Sequence, residues 1–162
     1  EETMVEKRTY YIGSPNGVIL CVDRRLNGET IGRIYHAYSK EAIYISCMEE
    51  MIIYLEGFFD RLRFPFPGTD DKTFRISEKK TEREERMIKV MREEDILENH
   101  GDAGTFIIRV QHRQHSSWQG LITWVDEDKT VAFRSALELI KLIDEALNDK
   151  DDESGNETLV KR

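Results

Sequence analysis

The stretch Val18-Ile19-Leu20-Cys21-Val22-Asp23-Arg24-Arg25-Leu26-Asn27-Gly28-Glu29-Thr30-Ile31-Gly32-Arg33-Ile34 decides the fold. It reads as two strands around a tight turn, and it occurs twice. Shifted by 88 positions, Val18–Glu41 falls on Phe106–Lys129 without a gap, with Ile19 on Ile107, Val22 on Val110, Arg25 on Arg113, Gly32 on Gly120 and Ile34 on Ile122. One inserted residue, Thr130, then moves the offset to 89, and Tyr44 meets Phe133, Ser46 meets Ser135, Met51 meets Ile140 and Glu56 meets Glu145. Self-similarity at a fixed offset is the mark of a repeated structural unit.

Each copy reads strand, strand, short strand, helix. Gly17–Arg24 is rich in β-branched and apolar residues, and Asn27-Gly28 is the dipeptide that a two-residue hairpin turn favours. Ile31–Tyr38 returns, and Ala42–Ile45 is a brief third strand. Ser46 and Glu49 have the spacing of a capping box, and Met48, Met51, Ile52, Leu55, Phe58, Phe59 and Leu62 follow at helical spacing until Pro65 and Pro67. In the second copy Phe106–His112 and Gln119–Val125 are the paired strands. Ser135 and Glu138 repeat the cap, and Leu137, Ile140, Ile143 and Leu147 form the helical stripe.

A single ββα unit cannot cover its own sheet, whereas two can. The expected architecture is therefore α+β. Two tandem ββ(β)α repeats form one domain with a mostly antiparallel sheet, helices on one face and a pseudo-twofold axis. Repeat 1 spans about 17–62 and repeat 2 about 104–149. Between them, 63–103 is a charged linker or exposed helix, its charge densest over 77–95, and 150–162 reads as a disordered tail.

Composition narrows the function. Charged residues make up 35% of the 162-residue chain and apolar ones 39%, with a net charge of −8. That balance opposes binding to long nucleic acid or anionic membranes through the molecule as a whole. No apolar run approaches a membrane span, the start Glu1-Glu2-Thr3-Met4 has no secretion-signal pattern, and two cysteines suit a reducing cytoplasm.

The run Ser116-Ser117-Trp118-Gln119-Gly120, then Trp124, then Phe133-Arg134-Ser135-Ala136-Leu137-Glu138-Leu139 resembles a group of small bacterial proteins. In that group an upstream half ends in a Phe-Asp…Phe-Pro stretch, which Phe59-Asp60 and Phe64-Pro65 match. The resemblance implies a bacterial cytoplasmic protein of two-part layout and brings no activity with it.

Ala103–Val125 holds no carboxylate, although acidic residues number 32 in the chain. Strand alternation sends Phe106, Ile108 and Val110 to one side and Arg109, Gln111 and Arg113 to the other, with Trp118 opposite Arg113 and Trp124 opposite Ile107. Arg109, Gln111, Arg113, Trp118 and Trp124 are thus the candidate ligand-binding face, suited to stacking an aromatic group and pairing an anion. Ordinary solvated sheet with each Trp covered by an Arg stem is the plainer reading.

Catalytic and metal signals are thin. Cys47 follows the Ser46 cap, where a helix dipole favours a thiolate, and His112 and His115 flank a loop. There is no phosphate loop, nucleophile elbow or metal-ligand spacing. No cofactor or metal is expected. The reading favoured is a non-catalytic binding or regulatory protein using the second repeat's hairpin face. Its partner is a protein or a small anionic or aromatic ligand, and a homodimer is compatible with it. The alternatives are a small enzyme using Cys47 or the His112/His115 loop, and single-stranded nucleic-acid binding.

Overall fold

The computed structural model describes residues 10, 12–65, 87–114 and 117–160. Six strands form one sheet: β1 (Val18–Leu26), β2 (Glu29–Tyr35), β3 (Ile43–Ile45), β4 (Gly104–Gln114), β5 (Ser117–Trp124) and β6 (Lys129–Phe133). Their order is β3-β2-β1-β4-β5-β6, and every neighbouring pair is antiparallel. The helices are α1 (Met48–Leu62), α2 (Glu93–Leu97) and α3 (Ala136–Val160). The protein is therefore α+β, as expected. α3 runs on through 151–160, a stretch the sequence reads as a disordered tail.

Local chemistry explains most boundaries. Asn27 (φ 53°) and Gly28 (φ 80°) both take positive φ, the conformation that joins β1 to β2 without splaying them. Ser135 caps α3, its Oγ accepting the Glu138 backbone N–H at 3.0 Å. The expected Ser46 cap of α1 is corrected by one residue. Cys47 is the extended N-cap, and Ser46 is tied to Glu50 rather than Glu49, its N–H and Oγ both donating to that carboxylate at 3.0 and 2.8 Å.

Two β-bulges re-aim the strands that matter most. One falls at Asp23, between the pairs Val22↔Gly32 and Arg24↔Ile31. The other falls at Gln111, between Val110↔Gly120 and His112↔Gln119. An extra residue on one strand reverses inside and outside beyond it. The glycine facing each bulge is forced by close approach. A Cβ on Gly32 would lie 2.4 Å from the Cys21 carbonyl oxygen, and one on Gly120 would lie 1.9 Å from that of Arg109.

The main core lies between the sheet and α1 with α3. Val18, Leu20, Val22, Ile34, Phe106, Ile108, Val110 and Trp118 from the strands meet Met51, Leu55, Phe58, Phe59, Leu139, Ile143 and Leu147 from the helices. The opposite sheet face carries a smaller cluster of Ile19, Cys21 and Ile107, covered by Ile12 and by Ile96 of α2. Of the charged stretch 77–95, positions 77–86 lie outside the described residues. The remainder is irregular, its Val90 and Met91 N–H groups donating to the Ala37 carbonyl, until α2 begins. No helix among the described residues is long and apolar enough to cross a membrane.

Candidate functional site

The five residues expected on one hairpin face do not share it. The Gln111 bulge turns Arg113 inward, onto the side that holds Val110, and Trp118 pairs opposite it. Arg113 is only 3% exposed, and Trp118 is fully buried. Trp124 pairs with Phe106 rather than Ile107 and stacks on its ring, centroids 6.4 Å apart, also on the helix side. Arg109 stays half-buried on the other face, and Gln111 is the exposed bulged residue. The expectation of a single cationic and aromatic outer face is thereby corrected, because alternation holds only while the strand has no extra residue.

Arg113 is instead a clamp. Its Nε donates to the Pro65 carbonyl at 2.8 Å, and its Nη1 donates to Glu56 Oε2 at 2.9 Å and Asp60 Oδ1 at 2.8 Å. The guanidinium sits 5.6 Å from the Phe59 ring centre, and Trp118 meets Phe59 edge-on at 5.4 Å. The two segments that carry the bacterial resemblance, Phe59-Asp60 with Pro65 and the Trp118 run, thus pack on each other. Sequence reasoning missed this pairing. Its trace was present: Glu56 and Asp60, one turn apart on a helix otherwise apolar inward, leave two carboxylates on one face in need of a cation.

The nucleophile candidates separate by environment. Burial pushes the Cys21 thiol up to about 11, with the nearby Arg33 opposing it only in part, so this cysteine is an inert core residue. Cys47 is half-buried at the start of α1 with no side-chain capping bond. His112 is exposed, and His115 lies outside the described residues. No group of three or more metal-ligating side chains occurs among the described residues.

A buried imidazole emerges that the sequence did not single out. His36, 2% exposed, stacks on Phe58 with centroids 4.2 Å apart. Its Nδ1 accepts the Tyr38 N–H at 3.1 Å, so its Nε2 carries the proton and donates to Tyr54 Oη at 2.8 Å. Burial, and to a lesser degree the Arg61 charge, lower its pKa to about 4. Burial in turn raises that of Tyr54.

Two open spaces flank this core. One, of about 150 Å³, lies between β5, β6 and α3, walled by Phe106, Ile122, Trp124, Val131, Leu142 and Ala146, with Lys129, Glu145 and Asp149 also in its lining. The indole Nε1 of Trp124 is buried and makes no hydrogen bond. The other, of about 390 Å³, lies between the β1–β2 turn, the start of α1 and α3, and includes Arg25, Thr30, Cys47, Ile140 and Ile143. The chain matches no protein-family model, no curated protein and no solved structure.

Proposed function

We propose that this chain is a non-catalytic binding protein, formed by duplication of a ββ(β)α unit, whose second half takes an apolar side chain of a protein partner into the cavity beside Trp124. The duplication is supported by an offset that stays at 88, because Gly32↔Ile45 matches Gly120↔Phe133. The inserted Thr130 and the shift to 89 expected from the sequence are thereby corrected. Pairs Val18↔Ile108 and Leu20↔Phe106 exchange under that shift, as a pseudo-twofold axis through Ile19 and Ile107 requires. The bulges at Asp23 and Gln111 correspond, and so do the first helical residues Met48 and Ala136. The buried helix positions Met51, Leu55, Phe58 and Phe59 correspond to Leu139, Ile143, Ala146 and Leu147.

The observation that carries the site is a difference in volume between equivalent positions. Where the first half packs Phe58 and Tyr54 around His36, the second has Ala146 and Leu142 beside Trp124, and there the 150 Å³ cavity opens. Its walls are apolar, and Trp124 brings a buried N–H without an acceptor. A binding pocket has this make-up, an apolar wall with a few polar groups that fix orientation. Trp124 is thus the one member of the expected face that keeps a binding role. The reading of a nucleic-acid or nucleotide face loses its support, because Arg113 and Trp118 are consumed by α1. Among the described residues no histidine lines the cleft that holds Cys47. The free thiols Cys21 and Cys47 suit a reducing, cytoplasmic setting.

The test uses N-acetyl-phenylalaninamide as a side-chain mimic, read at the Trp124 indole N–H by NMR. A saturable shift with a dissociation constant of about a millimolar is expected for so small a ligand. Ala146→Phe, which places the first half's ring in the cavity, should abolish the shift while the spectrum stays dispersed. Absence of a shift in the wild type, or an undiminished shift in Ala146→Phe, would overturn the site.

A further inference from the structure

We infer that the 390 Å³ cleft in the first half is a second binding site, separate from the Trp124 cavity, and that it takes a small flat aromatic amine. The inference shares the duplicated reading but nothing of the partner proposed above. Position 30 is the counterpart of position 118 at the offset of 88. The second half fills that place with the Trp118 indole, packed edge-on against Phe59. The first half has Thr30, and Leu147 stands where Phe59 would be. The replacement at position 30 removes ring volume where the cleft opens, with buried Thr30 and Ile143 and partly buried Met48 and Ile140 along it. A ring of indole size therefore has, in the other half of this molecule, a working precedent for lying between hairpin and helix.

The charge of the lining selects the ring's substituent. Glu29, Glu49 and Asp144 contribute carboxylates, and among the described residues Arg25 is the only cation in the lining. Both its Nη groups are already committed, donating to Asn148 and Asp144 across the cleft wall, and its Nε is buried out of reach of the cleft's solvent. An anionic ligand would face surplus negative charge within a chain of net charge −8, whereas an ammonium group meets Glu29 and Glu49. The Cys47 thiol lies in the same lining and serves as a reporter of occupancy.

Tryptamine is the probe, and indole-3-propionate its anionic match. On the full chain, tryptamine should shift the NMR signals of Thr30, Ile140 and Ile143 saturably and slow alkylation of Cys47 by iodoacetamide, located by mass spectrometry. The anion should bind at least about fivefold more weakly. Thr30→Trp, which installs the second half's residue, should abolish both effects. Glu29→Lys with Glu49→Lys alters exposed positions only and should weaken tryptamine binding about fivefold while leaving the fold intact. Shifts confined to Trp124, equal binding of amine and anion, or binding unchanged in both variants would overturn the inference. A wild type that shifts the Trp124 signal with capped phenylalanine yet ignores tryptamine would sink this site alone.

Discussion

The two halves put an arginine at equivalent places and treat it differently. Arg25 and Arg113 each follow a bulge, and each reaches the opposite half's helix. Arg113 bonds Glu56 and Asp60, and Arg25 bonds Asp144 and Asn148, the positions 88 residues further on. Each hairpin is thus tied to the other half's helix, so neither half closes its core alone. Around this shared frame the side chains diverge. The first half invests in aromatic rings on α1, the second in aromatic rings on β5. Each half is left with open space where the other has a ring. On the proposed duplication, a volume difference at matched backbone positions marks where packing is relaxed, and relaxed packing is where a ligand can enter.

The largest effect should come from the ring that fills one side of this comparison. Trp118→Ala removes a fully buried indole from contact with Phe59 and should destabilise the fold by about 3–5 kcal/mol. Its counterpart Thr30→Ala should cost about 1 kcal/mol or less, because little apolar surface is lost beside an open cleft. Chemical denaturation of the two variants measures both. Equal costs would mean that the hairpin–helix contacts of the two halves are energetically alike and that the cleft is not under-packed.

Next comes the arginine pair. The Arg113 guanidinium is 3% exposed, bonded to two carboxylates and a carbonyl, and lies near the Phe59 ring. Arg113→Ala should cost about 3 kcal/mol, since it strips the charge partner from Glu56 and Asp60 and the donor from Pro65. The Arg25 side chain is 19% exposed and its Asp144 partner 51% exposed, so Arg25→Ala should cost about 1 kcal/mol or less. Thermal unfolding of each variant against the wild type decides this. A larger loss for Arg25→Ala would reverse the assignment of which half is clamped.

What was legible in the chain was local. The Asn27-Gly28 turn, the Ser135 cap and the apolar stripes of α1 and α3 follow from near-neighbour chemistry, and the structure has each of them. The bulges were not legible. A bulge adds one residue without a distinctive composition, yet it decides whether Arg113 faces water or α1. Every misplaced site residue traces to that point or to the neighbouring register. The Trp124–Phe106 pairing, one residue from the expected partner, moved the second tryptophan to the helix side. The cover over the sheet's far face includes Met91, Ile96 and Leu97, which lie in the stretch that reads only as a charged linker or exposed helix. Ile96 becomes buried through contacts with Ile19, Cys21 and Ile107, which are distant in sequence.

The smallest effect concerns position 36 against its counterpart, Trp124. His36 is buried between Phe58 and Tyr54, with Tyr38 and the Arg61 charge near it, and its pKa lies at about 4. The unfolded chain binds a proton at this residue near pH 6.5, well before the folded chain does. Folding is therefore supported fully above about pH 6.5, and the support is lost as pH falls toward 4, amounting to about 1–2 kcal/mol by pH 5. NMR titration should show the His36 ring neutral at pH 5, with Nε2 protonated. His36→Gln should show a shallower fall in stability between pH 6.5 and 5 than the wild type. A His36 ring that titrates near 6.5, or an unchanged slope in the variant, would remove the imidazole from the account. The first half's aromatic layer would then be as indifferent to pH as the Trp124 side, where no imidazole stands.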